Sequence, residues 1–111
     1  MNKEVAQSIV VSALEDLKAE NIVVKDVAAL TDVAQVMIFA SGTSSRHVKS
    51  LASSVVEKVK DQGFQPLGVE GQDVGDWILV DLGDVIVHVM LPEVRNMYDL
   101  EKFWSGEIRP E

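Results

Sequence analysis

Hydrophobic residues near the start of the chain recur every three or four positions, which is the spacing of one helix face. Val5, Ile9 and Ala13 lie on this stripe, so the pattern predicts an amphipathic helix. Asn2 is a suitable N-cap, because its side chain can accept a hydrogen bond from the first turn. We expect Asn21 to adopt the left-handed conformation that ends such a helix.

Short apolar runs rich in β-branched residues follow the first helix. The runs predict strands at residues 21–27, 33–40 and 64–69. A second helix lies between the last two, capped by Thr43 or Ser44 and ended by Gly63. A strand, helix and strand of these lengths are typical of a crossover connection between parallel strands.

The clearest local pattern is a β-hairpin. Residues 76–82 and 85–91 form two strand-like runs joined by Gly83-Asp84, a two-residue turn. Pairing the strands across this turn divides their side chains between two faces. One face is uniformly aliphatic and is expected to be core. The other, here called the mixed face, comprises Trp77, Leu79, Asp81, Ile86, His88 and Met90.

A last helix is predicted to begin at Pro92, which suits a first helical turn. Met97, Leu100 and Trp104 would form its apolar stripe. These elements predict a mixed α/β (α+β) fold with a five-stranded mixed sheet and three helices. We expect one domain over residues 1–104 and a flexible C-terminal tail over residues 105–111.

The mixed face is the first candidate for function. If the helices favour the aliphatic face, part of the mixed face stays exposed. An exposed apolar patch rimmed by acids is typical of a protein-docking surface, with Trp77 as an anchor. The alternative is that a helix covers this face and Trp77 belongs to the core.

Composition excludes several classes of chemistry. The 111 residues include no cysteine, which rules out disulfides, thiolate nucleophiles and zinc–thiolate sites and favours a reducing compartment. The polar N-terminus does not resemble a signal peptide, and no apolar run is long enough to span a membrane. We therefore expect a cytoplasmic protein.

The net charge of −8 is unevenly distributed. Residues 1–69 carry 8 acidic and 7 basic side chains, whereas residues 70–111 carry 10 acidic and 3 basic ones. An acidic surface repels phosphate backbones and attracts basic partners. Little direct contact with nucleic acid is expected, although acidic surfaces also simply maintain solubility.

The turn at Gly42–Ser45 follows a strand and precedes a helix, where phosphate-binding loops occur. It lacks the lysine of a Walker loop, so a capped strand–helix turn is the simpler interpretation. Nucleotidyltransferases place paired carboxylates at Asp-x-Asp spacing to hold magnesium, and the sheet region that follows contains no such pair. His47 and His88 are expected to be hydrogen-bonded, with a partner contact as the alternative for His88. We predict no enzyme activity, no cofactor and no metal.

Several strings in order along nearly the whole chain resemble the ribosomal silencing factor family, the Iojap-related proteins. The matching strings are Thr31-Asp32, Gly42–Val48, Gly68–Gly71, Asp76–Met90 and Tyr98–Trp104. The chain departs from many relatives at Val33-Ala34, where an aromatic residue is usual.

The resemblance implies a fold related to nucleotidyltransferases but without their catalytic acids. It also implies binding to ribosomal protein fourteen of the large subunit, steric blocking of subunit association, and translation repression under nutrient limitation, as in stationary phase. The basic character of ribosomal proteins suits an acidic partner. The predicted partner-binding residues are Asp76, Trp77, Leu79, Asp81, Leu82, Asp84, His88, Met90 and Tyr98. Two alternatives remain: a nucleotide-binding or nucleotidyltransferase-like enzyme using Gly42–Ser45, and self-association into a homodimer.

Overall fold

The part of the chain that the structure describes contains three helices and five strands. The computed structural model describes residues 2–98, and of residue 98 only the backbone. The elements, in chain order, are α1 (Lys3–Asp16), β1 (Glu20–Asp26), β2 (Val36–Ser41), α2 (Ser45–Asp61), β3 (Gly68–Glu70), β4 (Trp77–Asp81), β5 (Val85–Met90) and α3 (Pro92–Tyr98). The predicted mixed α/β fold with three helices is confirmed.

All five strands belong to one mixed sheet in the order β1-β2-β5-β4-β3. β2 and β5 are parallel, and the other neighbouring pairs are antiparallel. β2 and β3 therefore run in the same direction, as the crossover prediction required. They are not neighbours, because the hairpin strands β5 and β4 lie between them.

Successive side chains of the buried strands β2 and β5 point to opposite faces of the sheet, and both faces are apolar. Val36, Ile38 and Ala40 of β2 belong to one buried cluster, whereas Met37 and Phe39 belong to another. Helices α1 and α2 pack on the first face, which we call the helical face. Because both sides of β2 and β5 are covered, every residue of these strands is buried.

The helix starts follow the predicted capping chemistry. The Asn2 side chain accepts a hydrogen bond from the Val5 amide at 2.8 Å, and the Ser44 hydroxyl accepts one from the His47 amide at 3.1 Å. The prediction for the end of α1 is wrong. Lys18, not Asn21, adopts the left-handed turn after the helix, while Asn21 has a positive φ inside β1, where the pairing register shifts.

Two predicted strand starts and one predicted helix face differ from the structure. β2 begins at Val36, and Val33 is exposed. β3 contains only Gly68–Glu70, since Pro66 has no N–H to contribute to a ladder. Met97 of α3 is 73% exposed, so the predicted apolar stripe does not face the sheet at this position. Among residues 92–97 of α3, Arg95 is the buried one, and Met97 lies about 200° around the helix from it.

Candidate functional site

The β4–β5 hairpin has the register that its turn predicts. Trp77 pairs with Met90, Leu79 with His88, and Asp81 with Ile86. The Leu82 amide donates to the Val85 carbonyl at 2.9 Å, which closes the two-residue turn. The composition of the mixed face is thus confirmed.

Exposure divides the mixed face between its two strands. Trp77, Leu79 and Asp81 of β4 are half-buried. By contrast, His88 is 6% exposed and Met90 is fully buried. The expectation that part of this face is exposed is therefore confirmed on β4, whereas His88 and Met90, which were predicted to contact a partner, are buried.

The β5 side chains are covered by irregular structure as well as by a helix. Val27 and Ala34, at the two ends of the β1–β2 connection, join Met37, Phe39, Ile86 and Met90 in one buried cluster, against which Val94 of α3 packs. Trp77 and Leu79 lie at the partly exposed margin of the same cluster. Neither of the two alternatives from the sequence is correct alone: the face is covered at its centre and open along β4.

Leu82 is a second correction. It was expected among the partner-binding residues, but it is 4% exposed and belongs to the cluster beneath α1 and α2. Its position next to the turn places it on the helical face together with Val85. Leu82, His88 and Met90 therefore offer almost no surface to a partner in this conformation.

Trp77 and His88 form a hydrogen-bonded pair within the mixed face. The Trp77 indole Nε1–H donates to His88 Nδ1 at 3.1 Å. The imidazole also stacks on Phe39, with ring centroids 5.1 Å apart and planes 8° from parallel. Burial lowers the pKa of His88 from 6.5 to about 4, because desolvation disfavours the charged form. The sequence identified both residues but not their bond, although the hairpin register makes them diagonal neighbours.

The acids of the hairpin also have local roles. Asp81 Oδ1 accepts the Gly83 amide at 2.9 Å and so stabilises the turn. Asp76 Oδ1 accepts the Ser45 hydroxyl at 3.0 Å, which ties the start of β4 to the start of α2. Asp84 is exposed. The Tyr98 side chain lies outside the described part of the chain.

The Gly42–His47 turn joins β2 to α2, and its hydrogen bonds link the start of α2 to the end of α1. The Thr43 amide donates to His47 Nδ1 at 2.9 Å, and His47 Nε2 lies 2.8 Å from the Leu17 carbonyl oxygen after α1. Since Nδ1 accepts, Nε2 carries the proton and donates to this carbonyl. The Gly42 amide donates to the Met90 carbonyl at 3.0 Å. The prediction of a hydrogen-bonded His47 in a capped turn is confirmed.

Between residues 2 and 98, no three His, Asp or Glu side chains form a group that could hold a metal ion. No helix in the same part of the chain is long and apolar enough to cross a membrane.

Comparison with known proteins gives a consistent result. A family model described as "Ribosomal silencing factor during starvation" matches residues 2–111. A ribosomal silencing factor from Chromobacterium violaceum is 50% identical over 99 residues, which cover 89% of this chain and 81% of that protein. The Bacillus subtilis ribosomal silencing factor is 36% identical over 95% of this chain and 89% of its own.

Solved structures agree with the sequence relatives. A crystal structure of a Chromobacterium violaceum protein matches with a TM-score of 0.93 and 46% identity, covering 100% of this chain and 92% of that one. A Bacillus halodurans structure matches with a TM-score of 0.82 and 33% identity, covering 93% and 95%. The chain is thus a member of a class of small α/β factors associated with the ribosome. It belongs to the ribosomal silencing factor family.

Proposed function

We propose that this protein binds ribosomal protein fourteen on the large ribosomal subunit and sterically blocks association with the small subunit. In this role it represses translation in the cytoplasm under nutrient limitation, as in stationary phase, without catalysing a reaction. The observation that carries the proposal is the open β4 margin of the mixed face in a chain of this family. There, half-buried Trp77 and Leu79 lie in the same hairpin as the acidic residues Asp81 and Asp84.

The chemistry of this margin suits a basic ribosomal protein. Trp77 and Leu79 offer apolar surface that a partner can bury. Asp81 and exposed Asp84, at the end of the same hairpin, would attract a positive surface. Asp76 and Tyr98 complete the proposed contact surface. A mouse relative, 34% identical over 87% of this chain, has a name that refers to assembly of the mitochondrial large ribosomal subunit, which supports the same subunit as partner.

The burial pattern refines the proposed contacts. Leu82, His88 and Met90 are too buried to contact a partner directly, so we assign them supporting roles beneath the contacting side chains. Homodimer formation by the free protein is compatible with this proposal if it uses the same margin.

Subunit association provides the direct test. Purified large subunits are incubated with the protein, small subunits are added, and joined ribosomes are separated from free subunits on a sucrose gradient. We expect the joined fraction to fall with increasing protein. Binding to isolated ribosomal protein fourteen should be measured in parallel. An unchanged joined fraction at saturating protein would contradict the proposal.

The nucleotide-binding alternative has less support from the structure. The Thr43 and His47 amides and the Ser45 hydroxyl are engaged within the protein, so fewer groups of the turn are available for a phosphate. Calorimetry with magnesium nucleotides distinguishes the two functions, since saturable binding would support the alternative.

A further inference from the structure

His88 is a buried polar residue within an apolar cluster, and its two ring nitrogens differ in their hydrogen bonding. Nδ1 accepts the Trp77 indole N–H. One ring face stacks on Phe39, which pairs with His88 across β2 and β5. Nε2 is buried and has no hydrogen-bond partner among the described residues.

The hydrogen bond determines the tautomer. Since Nδ1 accepts, the proton of the neutral ring lies on Nε2, and this N–H is the group without a partner among residues 2–98. A buried polar group with half of its hydrogen bonds missing destabilises a fold, and an apolar side chain of similar shape avoids that penalty. Stability alone therefore does not account for a histidine at this position.

We propose that His88 is a positioning residue, which holds the Trp77 indole in the orientation that the partner recognises. This inference rests on the proposed function, in which Trp77 contacts the large subunit. Nδ1 accepts a hydrogen bond from the indole N–H. The indole also packs against the imidazole, with ring planes 47° apart and centroids 6.0 Å apart. A side chain fixed before binding loses less conformational entropy on binding. Burial keeps His88 neutral, so that Nδ1 is free to accept at neutral pH.

Two substitutions separate positioning from packing. His88→Leu keeps an apolar volume and removes the acceptor. His88→Asn places an amide oxygen near the position of Nδ1, so that an acceptor for the indole is retained. The partner-free readout is the ¹⁵N–¹H resonance of the Trp77 indole, assigned in a Trp104→Phe background, in which Trp77 is the remaining tryptophan.

We expect His88→Leu to unfold at a urea concentration equal to or above that of the wild type. Its Trp77 indole proton should exchange faster with water and shift in resonance, and its affinity for large subunits should fall on the order of tenfold. His88→Asn should retain a protected indole proton and most of the affinity.

Three results would overturn the proposal. The first is a folded His88→Leu protein with wild-type affinity. The second is an unchanged indole resonance in that variant. The third is a loss of affinity in both variants that matches a loss of stability, since His88 would then be structural. Wild-type protein that does not bind large subunits would instead refute the proposed function, while the indole readout would still decide whether His88 orients Trp77.

Discussion

At the scale of single residues, the Trp77 side chain is partly exposed, and a hydrogen bond fixes its orientation. The indole is half-buried at the margin of the mixed face, and its N–H is bonded to His88. An aromatic side chain that is ordered before binding is well suited to be an interface anchor. Substitutions of Trp77 and His88 should therefore affect binding and stability in different ways.

Replacing Trp77 by alanine should weaken binding to large subunits by about 2 kcal/mol or more, because anchors contribute most of the binding energy of an interface. Tyr98→Ala should have a similar effect. Surface plasmon resonance with immobilised large subunits measures both. Val5→Ala is the matched control, since Val5 is 45% exposed on α1, on the other side of the sheet. Normal affinity in both aromatic variants would show that another surface binds.

The pH dependence of stability should report the burial of His88. Its folded pKa of about 4 is below the ordinary value of 6.5, so the unfolded state binds more protons between these values. The contribution of His88 to stability is therefore fully present above about pH 6.5 and is lost as the pH decreases toward 4, by on the order of 3 kcal/mol. Urea unfolding at about pH 7 and about pH 4.5 measures the change.

His88→Leu is the control for this pH effect. All other titrating groups are shared, so the difference between the two proteins isolates His88. An equal acid-induced loss of stability in both proteins would show that His88 does not contribute.

At the scale of secondary-structure elements, features that depend on local sequence were predicted better than packing between distant segments. The hairpin register followed from the turn at Gly83-Asp84, because both strands and their connection are contiguous in sequence. The cover over Met90 could not be predicted, because Val27 and Ala34 belong to a connection without periodicity. The buried Arg95, which donates to the Ser41 hydroxyl at 2.9 Å, was also missed, since a charged residue on a short helix is usually exposed.

Gly71, in the connection between β3 and β4, allows a test of the backbone geometry at that point. Gly71 has φ +89°, and a Cβ at this position would collide with the carbonyl oxygen of Trp77. Gly71→Ala should lower the free energy of unfolding by about 2 kcal/mol or more and disturb the Trp77 environment. Chemical denaturation followed by tryptophan fluorescence measures both effects.

Gly68→Ala is the matched control on the adjacent strand. A Cβ at Gly68 would meet no atom within 4 Å, and its φ is not in the left-handed region. We expect this variant to retain the stability of the wild type. A Gly71→Ala protein as stable as Gly68→Ala would contradict the steric argument.

At the scale of the whole molecule, the β4–β5 hairpin and helix α2 carry net charges of opposite sign. The β4–β5 hairpin carries Asp76, Asp81 and Asp84, whereas α2 on the helical face carries four basic and two acidic residues. The family resemblance and this separation agree on a basic partner facing the hairpin. Composition alone left solubility as an equal explanation, and the sheet register was needed to place Asp81 on the same face of the sheet as Trp77.

Neutralising the hairpin acids should slow association with large subunits. Asp81→Asn with Asp84→Asn should reduce the association rate constant roughly twofold or more at low salt, with a smaller effect on dissociation. The asparagine that replaces Asp81 would retain a side-chain oxygen for the Gly83 amide. Stopped-flow binding at several salt concentrations measures the rates, and Asp61→Asn on α2 serves as the control. Equal rates for all proteins would rule out electrostatic steering by the hairpin.

The parallel pairing of β2 with β5 has a consequence for the synthesis of this protein. Val36 pairs with Val85, and β5, the central strand of the sheet, is translated after α1, α2 and the other four strands. Until β5 emerges, both helices lack part of the sheet surface on which they pack, and distant pairings of this kind form late. A nascent chain therefore cannot complete its fold on the ribosome that is making it until nearly all of residues 2–90 are free. The proposed inhibitor becomes active only after β5 has been synthesised.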